Sequence, residues 1–203
     1  HELLKSIIYD QHELIQNATI VARPSYTFEP NANYVLVGLR RAGKSTLLYK
    51  IVRELVASGI SWDQIIYINF EDERLSEFQK EDFNDILSVQ SELSSGQGYF
   101  FFDEIQIVSG WEKFCRRMAD AKERVYVTGS NAGMLSREIS TTLGGRYLTK
   151  YVTPYDFEEY LTALDVPHDH RALFQTKANG RIRSHCGSYL QYGGFPEVLQ
   201  YTA

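Results

Sequence analysis

Apolar residues in this 203-residue chain gather into short unbroken runs, separated by stretches in which they recur at helical spacing. Tyr34-Val35-Leu36-Val37, Ile65-Ile66-Tyr67-Ile68, Tyr99-Phe100-Phe101-Phe102 and Val125-Tyr126-Val127 read as strands, and Tyr147–Val152, interrupted by Thr149 and Lys150, as a fifth. An unbroken apolar run suits a strand covered on both faces of a parallel sheet. Leu47, Leu48, Ile51, Val52, Leu55 and Val56 form one helix face, stopped by Ser58-Gly59. Phe83, Ile86, Leu87 and Leu93 predict a second helix, closed by Ser94-Ser95-Gly96. Trp111, Phe114, Cys115, Met118 and Ala119 predict a third. At the start, Leu3, Leu4, Ile7, Ile8, Leu14 and Ile15 predict an amphipathic helix, followed by a proline-containing lead-in. Strands alternating with helices predict an α/β fold with a mainly parallel sheet.

The last fifty residues read differently. Thr153-Pro154-Tyr155-Asp156 predicts a helix start, with Thr153 as cap, proline in the first turn and an acid three residues on. Phe157, Tyr160, Leu161 and Leu164 continue it. Residues 165–181 read as a polar loop, and 182–192 as helix up to Gly193-Gly194-Phe195-Pro196. The expected organisation is an N-terminal helix and lead-in over 1–30, a core over 31–153 and a helical segment over 154–203. A first residue that is not Met and an end soon after a turn read as a trimmed piece of a longer chain.

Between the first strand and its helix lies Gly38-Leu39-Arg40-Arg41-Ala42-Gly43-Lys44-Ser45, the pattern G-x-x-x-x-G-K-[ST]. Its glycines let consecutive N–H groups turn inward onto phosphate oxygens. Lys44 sets an ammonium against the β- and γ-phosphates, and the Ser45 hydroxyl suits Mg²⁺. The following helix, which begins here and includes Thr46, faces the phosphates with its partial positive charge. Gly38, Arg40, Arg41, Ala42, Gly43, Lys44, Ser45 and Thr46 are therefore the expected nucleotide-binding residues. Such a loop reads phosphates rather than the base, so ATP and GTP remain open. A solvated role for Arg40 and Arg41 also remains open.

The third strand delivers Asp103 and Glu104 at its C-terminal end, where ligands of open α/β sheets bind. Asp103 suits Mg²⁺, usually through water, and Glu104 suits orienting or deprotonating an attacking water. That glutamate favours a hydrolase over a small-molecule kinase, whose acceptor is a substrate hydroxyl. Thr128-Gly129-Ser130-Asn131 ends the fourth strand, with Ser130 the expected γ-phosphate sensor and Asn131 a weaker one. Asn69, ending the second strand, could gate Glu104. His168-Asp169-His170 lacks further metal ligands, and no zinc site is expected.

A net charge of −5 gives no bulk attraction for nucleic acid. Cys115 and Cys186 stand apart without metal or redox spacing, consistent with reduced thiols and a cytoplasmic protein. No apolar run approaches the roughly 18 residues of a membrane span.

Taken together, Gly38–Ser45, Phe101-Asp103-Glu104-Ile105-Gln106, Trp111, Thr128-Gly129-Ser130, Leu143-Gly144-Gly145-Arg146, Pro154 with Phe157-Glu158-Glu159-Tyr160, and Tyr192-Gly193-Gly194-Phe195-Pro196-Glu197 resemble one family. It is the prokaryotic AAA-type P-loop ATPases related to the archaeal STAND group, whose members carry a C-terminal domain of unknown function. The resemblance implies an ASCE-type five-stranded parallel sheet of order 5-1-4-3-2, flanked by helices, with Mg·ATP as ligand. It further implies a second domain with winged-helix and nuclease-like features, largely absent from this sequence, as the partner moved by the cycle. Lys44 and Ser45 then bind phosphate and metal, Asp103 takes the metal role, Glu104 the water role and Ser130 the sensor role. Arg146 falls where such ATPases present an arginine to a neighbouring subunit, implying a homo-oligomer; an Arg paired with a surface acid is the alternative. The implied activity is ATP hydrolysis coupled to movement or assembly. A nucleotide-held switch with negligible turnover, or a DNA-associated regulatory ATPase by family analogy, are the other readings.

Overall fold

The computed structural model describes residues 1–130 and 141–199, so the expectation for Asn131 lies outside the described residues. Five strands, β1 (Asn33–Gly38), β2 (Ile65–Asn69), β3 (Tyr99–Asp103), β4 (Arg124–Ser130) and β5 (Tyr147–Val152), form one sheet of order β2-β3-β4-β1-β5. This is the order the resemblance implies, read from the opposite edge. The β2–β3, β3–β4 and β4–β1 pairings are all parallel.

Parallel register turns separate aromatic positions into a row. Tyr67, Phe101, Tyr126 and Tyr34 are in-register partners across β2, β3, β4 and β1. Their rings stack at 6.1, 4.8 and 6.0 Å with interplanar angles of 11°, 5° and 11°. Because side chains alternate faces along a strand, Ile66, Ile68, Phe100, Phe102, Val125, Val127, Val35 and Val37 fall on the other face. There they join the main core. Among the helices that contribute to that core are α1 (Glu2–Asn17) through Leu4, Ile7 and Ile8, α3 (Phe83–Leu93) through Phe83 and Ile86, and α4 (Trp111–Asp120) through Trp111 and Phe114. Phe83 stacks on Phe114 at 4.4 Å. α2 (Lys44–Ala57) packs on β1 and β4, with its Tyr49 ring 5.5 Å from Tyr67 on the aromatic face.

By contacts the chain divides into two units. The first contains His1–Ala18, Phe28–Gly38 and Lys44–Tyr151, and so the sheet. The second contains Thr19–Thr27, Leu39–Gly43 and the chain from Val152 onward.

In the second unit, α5 (Phe157–Ala163) and α7 (Thr176–Tyr192) contribute Tyr160, Leu161 and Ile182 to a small core with Tyr155 and Val166, and α6 (His170–Phe174) packs against α7. Two expectations are corrected here. The cap of α5 is Asp156, not Thr153: its carboxylate accepts from the Glu159 N–H at 2.8 Å, and Glu159 Oε2 accepts the Asp156 N–H in return. The Thr153 and Pro154 carbonyls are taken by Arg23, and the Tyr155 N–H by the Gly194 carbonyl, so this stretch stays outside the helix. Residues 165–181 are not a loop: Asp169 caps α6 by accepting from the Ala172 N–H, and α7 runs for 17 residues. Its only buried residue is Ile182, so it carries almost no apolar periodicity to read.

Candidate functional site

β1 ends at Gly38, whose register partner is Ser130 at the end of β4. α2 begins at Lys44, a buried residue whose ammonium donates to the Gly38 carbonyl at 3.2 Å. That ammonium also lies 3.4 Å from Glu104 Oε1. The Lys44 side chain therefore folds back over the sheet's C-terminal edge. Parallel strands bring Asp103 to the same edge, beside Asn69.

Asp103 is buried at 2% exposure and surrounded by hydroxyls. Tyr67 donates to its Oδ2 at 2.9 Å, Thr128 donates to its Oδ1, and Ser45 supplies a third hydrogen bond. Burial pushes the Asp103 carboxyl above the ordinary carboxylate range. The three hydroxyls oppose that shift, and the adjacent Glu104 charge adds to it. A hydroxyl and a carboxylate sharing one hydrogen bond form a hard-oxygen donor pair of the kind Mg²⁺ takes, so Ser45 and Asp103 fit the ion.

Glu104 has a left-handed backbone, φ 51°, unusual for a residue with a side chain. Its N–H donates to Thr128 Oγ1 at 2.9 Å, and its carboxylate accepts from Gln106 Nε2 at 2.6 Å. Thr128 thus fixes the direction of both acids, and Gln106 holds the second one. Neither role was visible in the sequence, where Thr128 was one of four turn-like residues. The Asn69 Oδ1 accepts the Glu71 N–H, and Glu104 is bonded instead by Thr128 and Gln106.

Within the second unit, the loop tip Leu39–Gly43 includes two positive-φ residues, Arg41 at 63° and Gly43 at 95°. Only glycine takes the latter without strain. Arg41 is exposed and ion-paired with Glu197, Arg40 is exposed, and Ala42 is buried. Thr46 is partly buried in the first turn of α2. Arg146 precedes β5 and pairs with Asp120 at the end of α4. His168 bonds the Val166 carbonyl, and among the described residues no group of three or more His, Cys, Asp or Glu side chains could hold a metal ion. No helix among them is long and apolar enough to cross a membrane.

The family model described as an AAA domain matches residues 30–161. An uncharacterized protein of Methanocaldococcus jannaschii is 33% identical over 97% of this chain and 43% of its own length. One from Haemophilus influenzae is 35% identical over 81% of this chain and 40% of its own length. The chain thus spans less than half of each of these curated relatives. Among solved structures, Hsp104 with ATPγS and FITC casein has TM-score 0.53 and 12% identity, covering 97% of this chain and 35% of that one. The extended S. cerevisiae Hsp104:casein complex has TM-score 0.51 and 14% identity, covering 98% and 35%. These two likenesses concern the fold.

Proposed function

The chain belongs to the AAA domain family, and from that premise we propose that it binds Mg²⁺·ATP on Gly38–Thr46 and hydrolyses it. The observation that carries this reading is the meeting of Lys44, Asp103 and Glu104 at one strand edge, with Ser45 bonded to Asp103. Lys44 holds the β- and γ-phosphates, while Ser45 and Asp103 hold the ion. Bound Mg²⁺ offsets charge on the phosphate oxygens. Glu104 orients water and takes its proton. Ser130, beside Gly38, senses the γ-phosphate. Arg146 serves a neighbouring subunit once it leaves Asp120; such a finger contributes about 10³–10⁵ in rate. The cycle moves or assembles a C-terminal domain of the longer protein.

A second reading, a nucleotide-held switch with negligible turnover, is favoured by the Lys44 and Gln106 contacts that occupy Glu104. Phosphate release from Mg·ATP across a range of protein concentrations, with Glu104→Gln as control, separates the two. Turnover lost in the variant supports hydrolysis, and specific activity rising with concentration supports a finger from a neighbour. Tight ATP binding without release supports the switch. Absence of any ATP binding refutes both.

A further inference from the structure

Arg23 lies in the lead-in, a stretch without helical or strand periodicity, yet it is 3% exposed. Its guanidinium forms a two-pronged pair with Glu159, Nε to Oε1 at 3.0 Å and Nη2 to Oε2 at 2.9 Å. Nη2 also donates to the Thr153 and Pro154 carbonyls at 2.8 and 3.3 Å. The Tyr26 and Tyr155 rings flank it, with centroids 4.6 and 5.1 Å from the guanidinium carbon. The remaining prong, Nη1, donates to the Ala42 carbonyl at 3.1 Å. All these residues belong to the second unit.

A trans peptide is planar, so its carbonyl and its N–H point to opposite sides. Holding the Ala42 carbonyl on Arg23 therefore turns the Gly43 N–H away from Arg23. Gly43 has φ +95° and no side chain, and so by itself leaves this peptide plane free to rotate. A phosphate loop works by aiming successive N–H groups at phosphate oxygens. We infer that Arg23 is a positioning residue for the phosphate loop: it sets the Ala42–Gly43 peptide plane for phosphate, anchored in turn by Glu159. Glu159 also completes the Asp156 cap, so the loop's amide direction is tied to the start of α5. This inference rests on the nucleotide reading above. A buried ion pair needs only charge opposite Glu159; the loop needs the fork, because one ammonium cannot serve Glu159, Thr153 and Ala42 together.

The test is calorimetric binding of Mg·ATP, and of tripolyphosphate as a base-free probe, to the full chain with Arg23→Lys and Glu159→Gln. Arg23→Lys is expected to weaken both ligands by the same factor, about tenfold, at unchanged binding stoichiometry. Glu159→Gln keeps one acceptor oxygen for the guanidinium, so it is expected to lower Tm and to weaken both ligands by less than Arg23→Lys does, about two- to threefold. A variant that merely fails to fold lowers stoichiometry instead of raising Kd. Equal Kd for Arg23→Lys and wild type at full stoichiometry overturns the inference. So does lost stoichiometry at unchanged Kd, a change for ATP without one for tripolyphosphate, or a loss in Glu159→Gln that exceeds the loss in Arg23→Lys. Wild type that binds neither ligand overturns the nucleotide reading, and this inference with it.

Discussion

Replacing Thr128 by valine removes one buried hydroxyl that makes two bonds, a donation to Asp103 Oδ1 and an acceptance from the Glu104 N–H. The side chain is fully buried, so no water replaces it. Valine keeps the shape, which confines the loss to hydrogen bonding. A bond to a charged group contributes about 1.5–3 kcal/mol and a neutral one about 0.5–1.5, so together the loss is roughly 2–4 kcal/mol. For a chain of this size that corresponds to a fall in Tm of roughly 5–15 °C. Thr128→Ser is the companion variant, because it keeps both bonds and gives up one methyl at a cost of about 1 kcal/mol. Thermal unfolding followed by circular dichroism reads all three proteins, and phosphate release reads the placement of the acids. Valine is expected to lose both stability and turnover, with serine recovering most of each. Valine and serine that unfold together, or a valine variant within about 1 kcal/mol of wild type, would refute the wiring of Asp103 and Glu104 through this hydroxyl.

Two further outcomes concern other parts of the chain. Gly194→Ala places a Cβ 2.0 Å from the Tyr155 carbonyl oxygen, whereas Gly193 has open space but φ +82°. Alanine at 194 is expected to lower unfolding free energy by about 3 kcal/mol or more, and alanine at 193 by about 1–2 from backbone strain; urea unfolding ranks them, and the reverse order would contradict the packing. His12 is buried, with its ring nitrogen 2.8 Å from the Ile65 carbonyl oxygen, and burial holds its pKa below 6.5 despite opposing pulls from Ile65 and Asp63. The unfolded state thus binds the proton more readily, so stability present above pH 6.5 is lost as pH falls through the folded pKa, at most about 1.4 kcal/mol per pH unit. Tm curves of wild type and His12→Gln should converge as pH falls from 7.5 to 5, and curves that stay parallel would remove His12 from the acid response.

Much of this molecule was legible in the chain because local rules carry it. Unbroken apolar runs identify strands that must be covered on both faces, and periodic ones identify helices with a single buried stripe. Gly38, Gly43, Lys44 and Ser45 stand out as candidates because they match types that phosphate chemistry demands at fixed neighbouring positions. Asp103 and Glu104 are legible as candidates because the strand's direction puts them at the sheet's C-terminal edge. Where periodicity is absent, as in α6 and the part of α7 before Ile182, its single buried residue, the same rules returned a loop. What they cannot supply is register and long-range pairing. Thr128 meets Asp103 across 25 positions and Tyr67 meets it across 36, through strand alignment set by how the whole sheet packs. Arg23 meets Glu159 across 136 positions, and in sequence it is one polar residue beside a proline. Arg146 likewise acquires Asp120 only in the fold. Residue type and spacing decide which chemistry the chain can hold. Burial and distance, which exist only once remote segments meet, decide which side chains aim it.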